Sequence, residues 1–433
     1  MPTTPSSVVT RAMMQVRTST VATAICSGRL SGSSTGIASR RSIRKLRYLP
    51  ARTYRAKYRI DGYCGRSTGG STVSEGSTHV SDATCTTREP AGVPRRSPVA
   101  DASAWRSADL ADDPRWIRHL GAAELDEIET ALARAVDRKL RVPFSREDFE
   151  VPAVAALLQE AASELDHGCG VQLIRGLPRR DLTYSECELV YWGLGVQLGR
   201  PVSQNARGDL IGHVRDEGKS IEDPSVRSYQ TRGKLDFHAD KLPVDVLGLL
   251  CLRTARAGGT SRIVSATAIH DVILHERPDL LQVLYEPFTL DWRDEEPVGA
   301  APWYRLPMFS ECDGKVTSRF TTIAYFHSAA RHGAEHAITP EQDEALHYAQ
   351  EVANRPEMQL AMDFEEGDIQ LLNNHVTLHA RDAFEDYPEP DRKRHLLRLW
   401  ISYPPERRRP VAPPLHERLK LVDAGGIPAR AGV

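Results

Sequence analysis

The chain of 433 residues is 40% hydrophobic and 26% charged, enough for one large or two ordinary globular domains and unlike a peptide hormone or fibrous repeat. Its longest apolar runs, such as Val246 to Leu252, fall far short of the ~20 residues that cross a bilayer as a helix, so a soluble protein without membrane attachment is expected. The formal net charge of −2 hides a division: residues 1–60 hold twelve Lys or Arg and no Asp or Glu, whereas residues 101–433 hold 40 basic and 54 acidic side chains, a net of −14.

So acidic a body argues against nucleic acid as a partner, because phosphate contacts demand a basic face; a small-molecule substrate is expected instead. The seven cysteines (26, 64, 85, 169, 187, 251, 312) show no CxxC spacing and are odd in number, which argues against a zinc ribbon or a disulfide framework and for a reducing, cytoplasmic location. Oligomeric state is left open, a homo-oligomer included.

Residues 1–100 are rich in Ser, Thr, Arg and Gly without hydrophobic periodicity. They are predicted to form a disordered, dispensable extension that cannot bury enough apolar surface to offset chain entropy. Their acid-free start also shares its composition with mitochondrial targeting segments, a minor alternative, and a mis-assigned start codon in GC-rich DNA is a third reading.

A globular domain is predicted over 101–405. Gly121 to Lys139 places Leu125, Ile128, Leu132 and Ala135 on one helix face, Pro152 to Leu165 is a helix with Pro near its start, and residues 182–198 form a third that ends at Gly199 in a left-handed cap. A short strand over Gly170 to Arg175 separates the last two. From Val246 the texture changes to strand-length apolar runs (Val246 to Leu252, Ile369 to Leu372, Leu396 to Ser402) separated by turn residues, the pattern of a β-sandwich or jelly roll. One helix, Pro340 to Asn354 capped by Thr339, interrupts it. Residues 406–433, with Arg407 to Arg409, Pro410, Pro413 and Pro414, are expected to be a solvated Pro/Arg-rich tail, and Gly258-Gly259 a plain turn.

Chemistry is suggested in two places. Phe237-His238-Ala239-Asp240 sets a histidine and a carboxylate two residues apart, on one face if extended, though H-x-D alone is a weak signal. Downstream, Asn373-Asn-His375-Val-Thr-Leu-His379-Ala-Arg precedes an arginine-studded strand, Arg394-His-Leu-Leu-Arg398-Leu-Trp400. Two histidines and one carboxylate suit a facial triad on Fe(II), which leaves positions open for a chelating cosubstrate and O2. A 2-oxo acid needs in addition a fixed cation for its remote carboxylate, which the fork of an arginine grips and lysine does not reproduce.

These segments, with Gly168 to Pro178, Gly258-Gly-Thr260-Ser261 and Glu366-Gly-Asp, resemble the taurine dioxygenase-like (TauD/TfdA) family of Fe(II)/2-oxoglutarate-dependent dioxygenases over most of residues 104–403. The resemblance implies a mainly β fold with flanking helices, the double-stranded β-helix or jelly roll. It implies Fe(II) as cofactor, 2-oxoglutarate and O2 as cosubstrates, and hydroxylation of an unactivated C–H with release of succinate and CO2. By residue it implies His238, Asp240 and His379 as iron ligands, with His379 chosen over His375 by its place in the motif. Arg394 matches the arginine that binds 2-oxoglutarate, Arg398 is the alternative on the same strand face, and Ser261 or Thr260 is the hydroxyl partner.

Loops at Gln204-Asn205, Ser228 to Leu235 and Trp292 to Phe309 are expected to line the substrate pocket, and Lys234 and Arg398 hint at an anionic substrate. Two rival readings stand beside this one: a catalytically silent jelly-roll binding protein that keeps the fold alone, and a zinc hydrolase, which lacks an evident general base and leaves Arg394 unexplained.

Overall fold

The computed structural model of the protein describes residues 94–430 except 112 and 221–225. Most of the N-terminal extension therefore lies outside the described residues. Its final stretch does not match the expected boundary at residue 100: Arg95 pairs with Glu311 at 3.0 Å, Val99 is buried, and its backbone N–H donates to the Asp271 carboxylate at 2.9 Å. The folded domain begins before Asp101.

Two sheets face each other. The larger is built from β1 (Ile117–His119), β2 (Val171–Arg175), β3 (Arg200–Val202), β4 (Gly212–Val214), β6 (Val246–Arg253), β9 (Ile369–Asn373) and β11 (His395–Ser402). Its order is β1-β2-β9-β6-β11-β3, with β4 also on β11. The smaller sheet comprises β5 (Leu235–His238), β7 (Ser261–Ser265), β8 (Gln359–Met362) and β10 (Thr377–Arg381), in the order β8-β7-β10-β5. All these pairings are antiparallel except β1 with β2. Two such sheets form the expected jelly roll.

Strand alternation decides which side chains meet the interior. On β11, Leu397, Leu399 and Ile401 join Leu250, Leu252, Ile369 and Leu371 in a core against the helices α1 (Ala122–Asp137), α2 (Pro152–His167) and α3 (Tyr184–Leu198). The intervening Arg394, Leu396, Arg398 and Trp400 face the cavity between the sheets. The smaller sheet turns Phe237, Val264 and Leu378 outward onto α4 (Ala266–Glu276), α5 (Pro278–Leu284) and α6 (Pro340–Asn354).

The predicted helices are all present. Thr183 caps α3, accepting from Glu186 N at 3.2 Å while Glu186 accepts from Thr183 N at 2.7 Å; Thr339 caps α6 through Gln342 in the same way. Gly199 differs from expectation. Its φ of 175° is extended rather than left-handed, and it is required because a Cβ there would lie 2.5 Å from the Ser402 carbonyl.

The C-terminal segment is not a solvated tail. Arg407 pairs with Asp166 at 2.9 Å, Arg408 donates to Ser402 Oγ at 2.7 Å, and Arg409 donates to the Val316 carbonyl at 2.6 Å. Helix α7 (His416–Asp423) then lays the buried Arg418 between the rings of Trp292 and Tyr304, about 4 Å from each. Arg418 also donates to the Lys241 carbonyl at 3.0 Å, so this segment buttresses the chain next to Asp240. Among the described residues no helix is long and apolar enough to cross a membrane.

Candidate active site

His238 ends β5 and His379 lies on β10, and the two are direct partners across the strand pair. Such partners bring side chains within contact distance; the ring centroids are 4.2 Å apart. Between the pairs His379↔His238 and Arg381↔Leu235 the register shifts, with two residues of β5 (Asp236 and Phe237) opposing one of β10 (Ala380). This bulge changes the phase of the strand. Leu235 and His238 can then both face the cavity while Phe237 points into the outer core.

Asp240 follows just past the strand end, where its backbone is held from several sides. Its N–H donates to Asn374 Oδ1 at 2.8 Å, and its carbonyl accepts from the buried Arg319, which also donates to the Asn374 carbonyl at 3.1 Å. One carboxylate oxygen, Oδ2, accepts from Trp400 Nε1 and lies 3.2 Å from Arg398 Nη1. The other, Oδ1, faces His238 Nε2 at 3.8 Å. His238 Nδ1 bonds the Asp236 carbonyl at 2.8 Å; a carbonyl only accepts, so Nδ1 carries the proton and Nε2 presents its lone pair to the site.

His238, Asp240 and His379 each offer one ligand atom, and these atoms lie within 4.8 Å of one another. Burial lowers the pKa of both imidazoles, that of His379 to about 3 with His238 adding to the effect. Burial alone would raise the Asp240 carboxyl, but Arg398, the two histidines and Trp400 together hold it below the ordinary value. At neutral pH the set is therefore two neutral imidazoles and one carboxylate, the protonation state that a metal requires. Nitrogen and oxygen donors without thiolate fit Fe(II).

Four residues before Arg398, Arg394 lines the same cavity. It is buried, its guanidinium packs 5.2 Å from the Phe384 ring, and its Nη1 has no hydrogen-bond partner. Burial lowers its pKa to about 10, so it stays charged at neutral pH. Gly258-Gly259 is more than a turn: a Cβ on Gly259 would stand 3.2 Å from Arg394 Nε, and one on Gly258 would stand 2.4 Å from the Ala383 carbonyl. Ser261, opposite Arg381 in the register, lines the cavity. Thr260 does not line it and donates to Asp363 at 2.9 Å.

The other expectations divide. His375 lies in the turn between β9 and β10, with Nε2 3.8 Å from Asp245, away from the cavity lining. His395 faces His213 at 2.9 Å on the opposite side of β11. Lys234 pairs with Asp236 at 2.9 Å on the surface and supplies no charge to the cavity. Of the three expected loops, Gln204, Ser228, Tyr229, Leu235 and Glu295 are in place, whereas Asn205 turns to Asp209 at 2.9 Å.

Three charged groups were not foreseen together at the site. Arg227 and Lys241 both line the cavity and both pair with Glu295, Arg227 at 3.3 Å. Burial lowers the Lys241 pKa to about 8, against the opposing pull of Glu295. The available signal was Lys241 standing next to Asp240 in sequence. The space within the cavity that a water-sized sphere can occupy is about 90 Å3, open to solvent at its mouth.

A jelly roll carrying two histidines and one carboxylate on a cavity wall defines the class of mononuclear non-haem iron oxygenases. Residues 136–400 match the family described as "Taurine catabolism dioxygenase TauD, TfdA family". The chain belongs to that family and is an Fe(II)/2-oxoglutarate-dependent dioxygenase. It is 34% identical over 327 residues to FR-33289 synthase of Streptomyces rubellomurinus, covering 74% of this chain and 95% of that one. It is 28% identical over 309 residues to the taurine hydroxylase-like protein SAT17 of Stachybotrys chartarum, covering 69% and 78%. Among solved structures, an asparagine oxygenase in complex with Fe(II), 3-hydroxyasparagine and succinate superposes with a TM-score of 0.52 at 16% identity, covering 66% of this chain and 93% of that one. At that identity the likeness shows the shared fold.

Proposed function

We propose that His238 Nε2, Asp240 Oδ1 and His379 hold Fe(II), that Arg394 with Ser261 grips the remote carboxylate of 2-oxoglutarate, and that the enzyme hydroxylates a C–H bond of a small anionic molecule. The observation that carries this reading is the convergence in one cavity of three metal-donor atoms within 4.8 Å of each other and the unpartnered, buried Nη1 of Arg394. When bound, iron and 2-oxoglutarate supply the oxidising chemistry, with O2 consumed and succinate and CO2 released. The protein's part is to fix geometry and exclude water.

Arg398 is the less suitable anchor because it is already committed. It lies 3.2 Å from Asp240 and donates from Nε to Gln204 Oε1 at 2.7 Å, which orients the carboxylate ligand. The anionic substrate follows from charge. Five cations (Arg227, Lys241, Arg381, Arg394, Arg398) and two carboxylates (Asp240, Glu295) line the cavity, and the dianion 2-oxoglutarate cancels Fe(II). A positive cavity in an acidic body draws and retains a negatively charged ligand.

The test is succinate formation from 2-oxoglutarate under air with added Fe(II) and ascorbate: turnover is expected, with loss on chelation and recovery on re-addition of Fe(II). No iron-dependent succinate would reject the reading and revive the silent binding protein. A finer expectation concerns Trp400, whose N–H orients Asp240. Trp400→Phe removes that donor while keeping an aromatic ring in place, and Fe(II) affinity should fall about 10- to 100-fold, as measured by anaerobic titration.

A further inference from the structure

The Arg227–Glu295–Lys241 cluster is not needed to hold iron or 2-oxoglutarate, yet it lies in the cavity that would hold both. Its three members come from separate stretches of chain. Arg227 precedes β5, Lys241 follows Asp240, and Glu295 arrives from the segment after Asp291. The two cations face one carboxylate, and their side chains are about nine-tenths buried, as is that of Glu295. Lys241 also lies 5.7 Å from the Trp292 ring and 5.9 Å from the Tyr325 ring, so its ammonium is fenced by aromatic faces and Glu295.

The backbone that delivers Glu295 is strained. Arg293 and Asp294 have φ of 54° and 63°, two consecutive non-glycine residues in the left-handed region, which is rare and persists only when the surroundings enforce it. Beyond Glu295, Val298 is 87% exposed and Gly299 has φ of 81°. Glu295 is thus carried on a tight turn at the cavity edge, whereas Lys241 is tied to the framework through Asp240 and the Arg418 contact to its carbonyl.

We propose that Arg227 and Lys241 form the subsite for the oxyanionic group of the substrate, and that Glu295 occupies this subsite in the substrate-free protein and is displaced when substrate binds. The proposal rests on the dioxygenase reading above and adds which residues select the substrate. A carboxylate already accepted by both cations shows that the pair takes an oxyanion without rearrangement of the framework. Displacing Glu295 moves its charge toward solvent, while the turn stays held by the Arg293 N–H on Asp291 at 2.8 Å and by Arg331 on Asp294 at 2.9 Å. Substrates without such a group leave Glu295 in place across the cavity, which gives selectivity by exclusion as well as by attraction.

The test uses the full chain loaded with Fe(II) and saturating 2-oxoglutarate without O2, titrated calorimetrically with methylphosphonate, methanesulfonate and acetate as three shapes of oxyanion. Glu295→Gln should bind at least one of them about tenfold more tightly than wild type, and Lys241→Met about tenfold more weakly. The gain from Glu295→Gln should vanish in the Lys241→Met/Glu295→Gln double variant, which also relieves the unpaired buried cation should the single variant fold poorly. Glu296→Gln, on the neighbouring pair with Arg430, should match wild type. If none of the three anions responds to Glu295→Gln and Lys241→Met, in proteins that still bind iron stoichiometrically, the subsite is overturned while iron-dependent succinate release leaves the enzyme class standing. Absence of succinate release by wild type would instead remove the reading on which the subsite rests.

Discussion

Alanine at His238 or at His379 is expected to abolish tight Fe(II) binding and 2-oxoglutarate turnover, while alanine at His375 leaves both in place. The triad has only three protein donors, and losing even an outer partner of such a donor typically weakens metal binding ~10- to 100-fold. Loss of the donor itself must exceed that. His375 differs although it stands only four residues from His379. It is buried beside Asp245 with Nδ1 unpartnered, so truncating it should lower stability by roughly 0.5–3 kcal/mol and leave the metal site intact. Iron content after desalting, with the thermal midpoint of each variant, separates the two effects. Equal loss of iron in all three variants would show that the turn carrying His375 rearranges into the site.

Much of this architecture was legible because strands and helices impose short periods on sequence. Leu396 to Ser402 alternates between helix core and cavity, so placing Arg394 and Arg398 on one face needed only period-two geometry. The bulge in β5 was not legible. Nothing in Leu235-Asp-Phe-His announces that two residues oppose one, yet this shift is what aims His238 inward and Phe237 outward.

The charged residues divide for a different reason. Arg227 and Glu295 lie 68 positions apart in loops, where charge by itself signals solvent, and only the tertiary fold makes them neighbours across Lys241. Arg407 to Arg409 misled in the same way. Their partners Asp166, Ser402 and the Val316 carbonyl come from three other regions, and a run of arginines beside prolines carries no mark of them. Gly199 was correctly placed at a helix end but for the wrong cause, since the close approach of the Ser402 carbonyl, rather than a left-handed φ, excludes a side chain.

Arg394→Ala should raise the 2-oxoglutarate concentration needed for turnover by roughly thirty- to several-thousand-fold with iron still bound, because removing one partner of a buried, charge-assisted contact costs ~2 to 5 kcal/mol. Arg394→Lys should recover little of it. A guanidinium presents a planar fork that matches a carboxylate, and an ammonium does not. Burial compounds the difference: it already brings Arg394 down to about 10, and a lysine, whose ordinary value is lower, would hold its charge with a smaller margin in the same place. Gly259 gives a second handle, since a methyl group 3.2 Å from Arg394 Nε displaces the guanidinium without removing it, and Gly259→Ala should shift the 2-oxoglutarate requirement in the same direction. The measurement is succinate formed against 2-oxoglutarate concentration, with iron content checked separately. An unchanged requirement in Arg394→Ala, with the loss appearing in Arg398→Ala, would move the anchor four residues along the strand and assign the unpartnered Nη1 of Arg394 to another ligand.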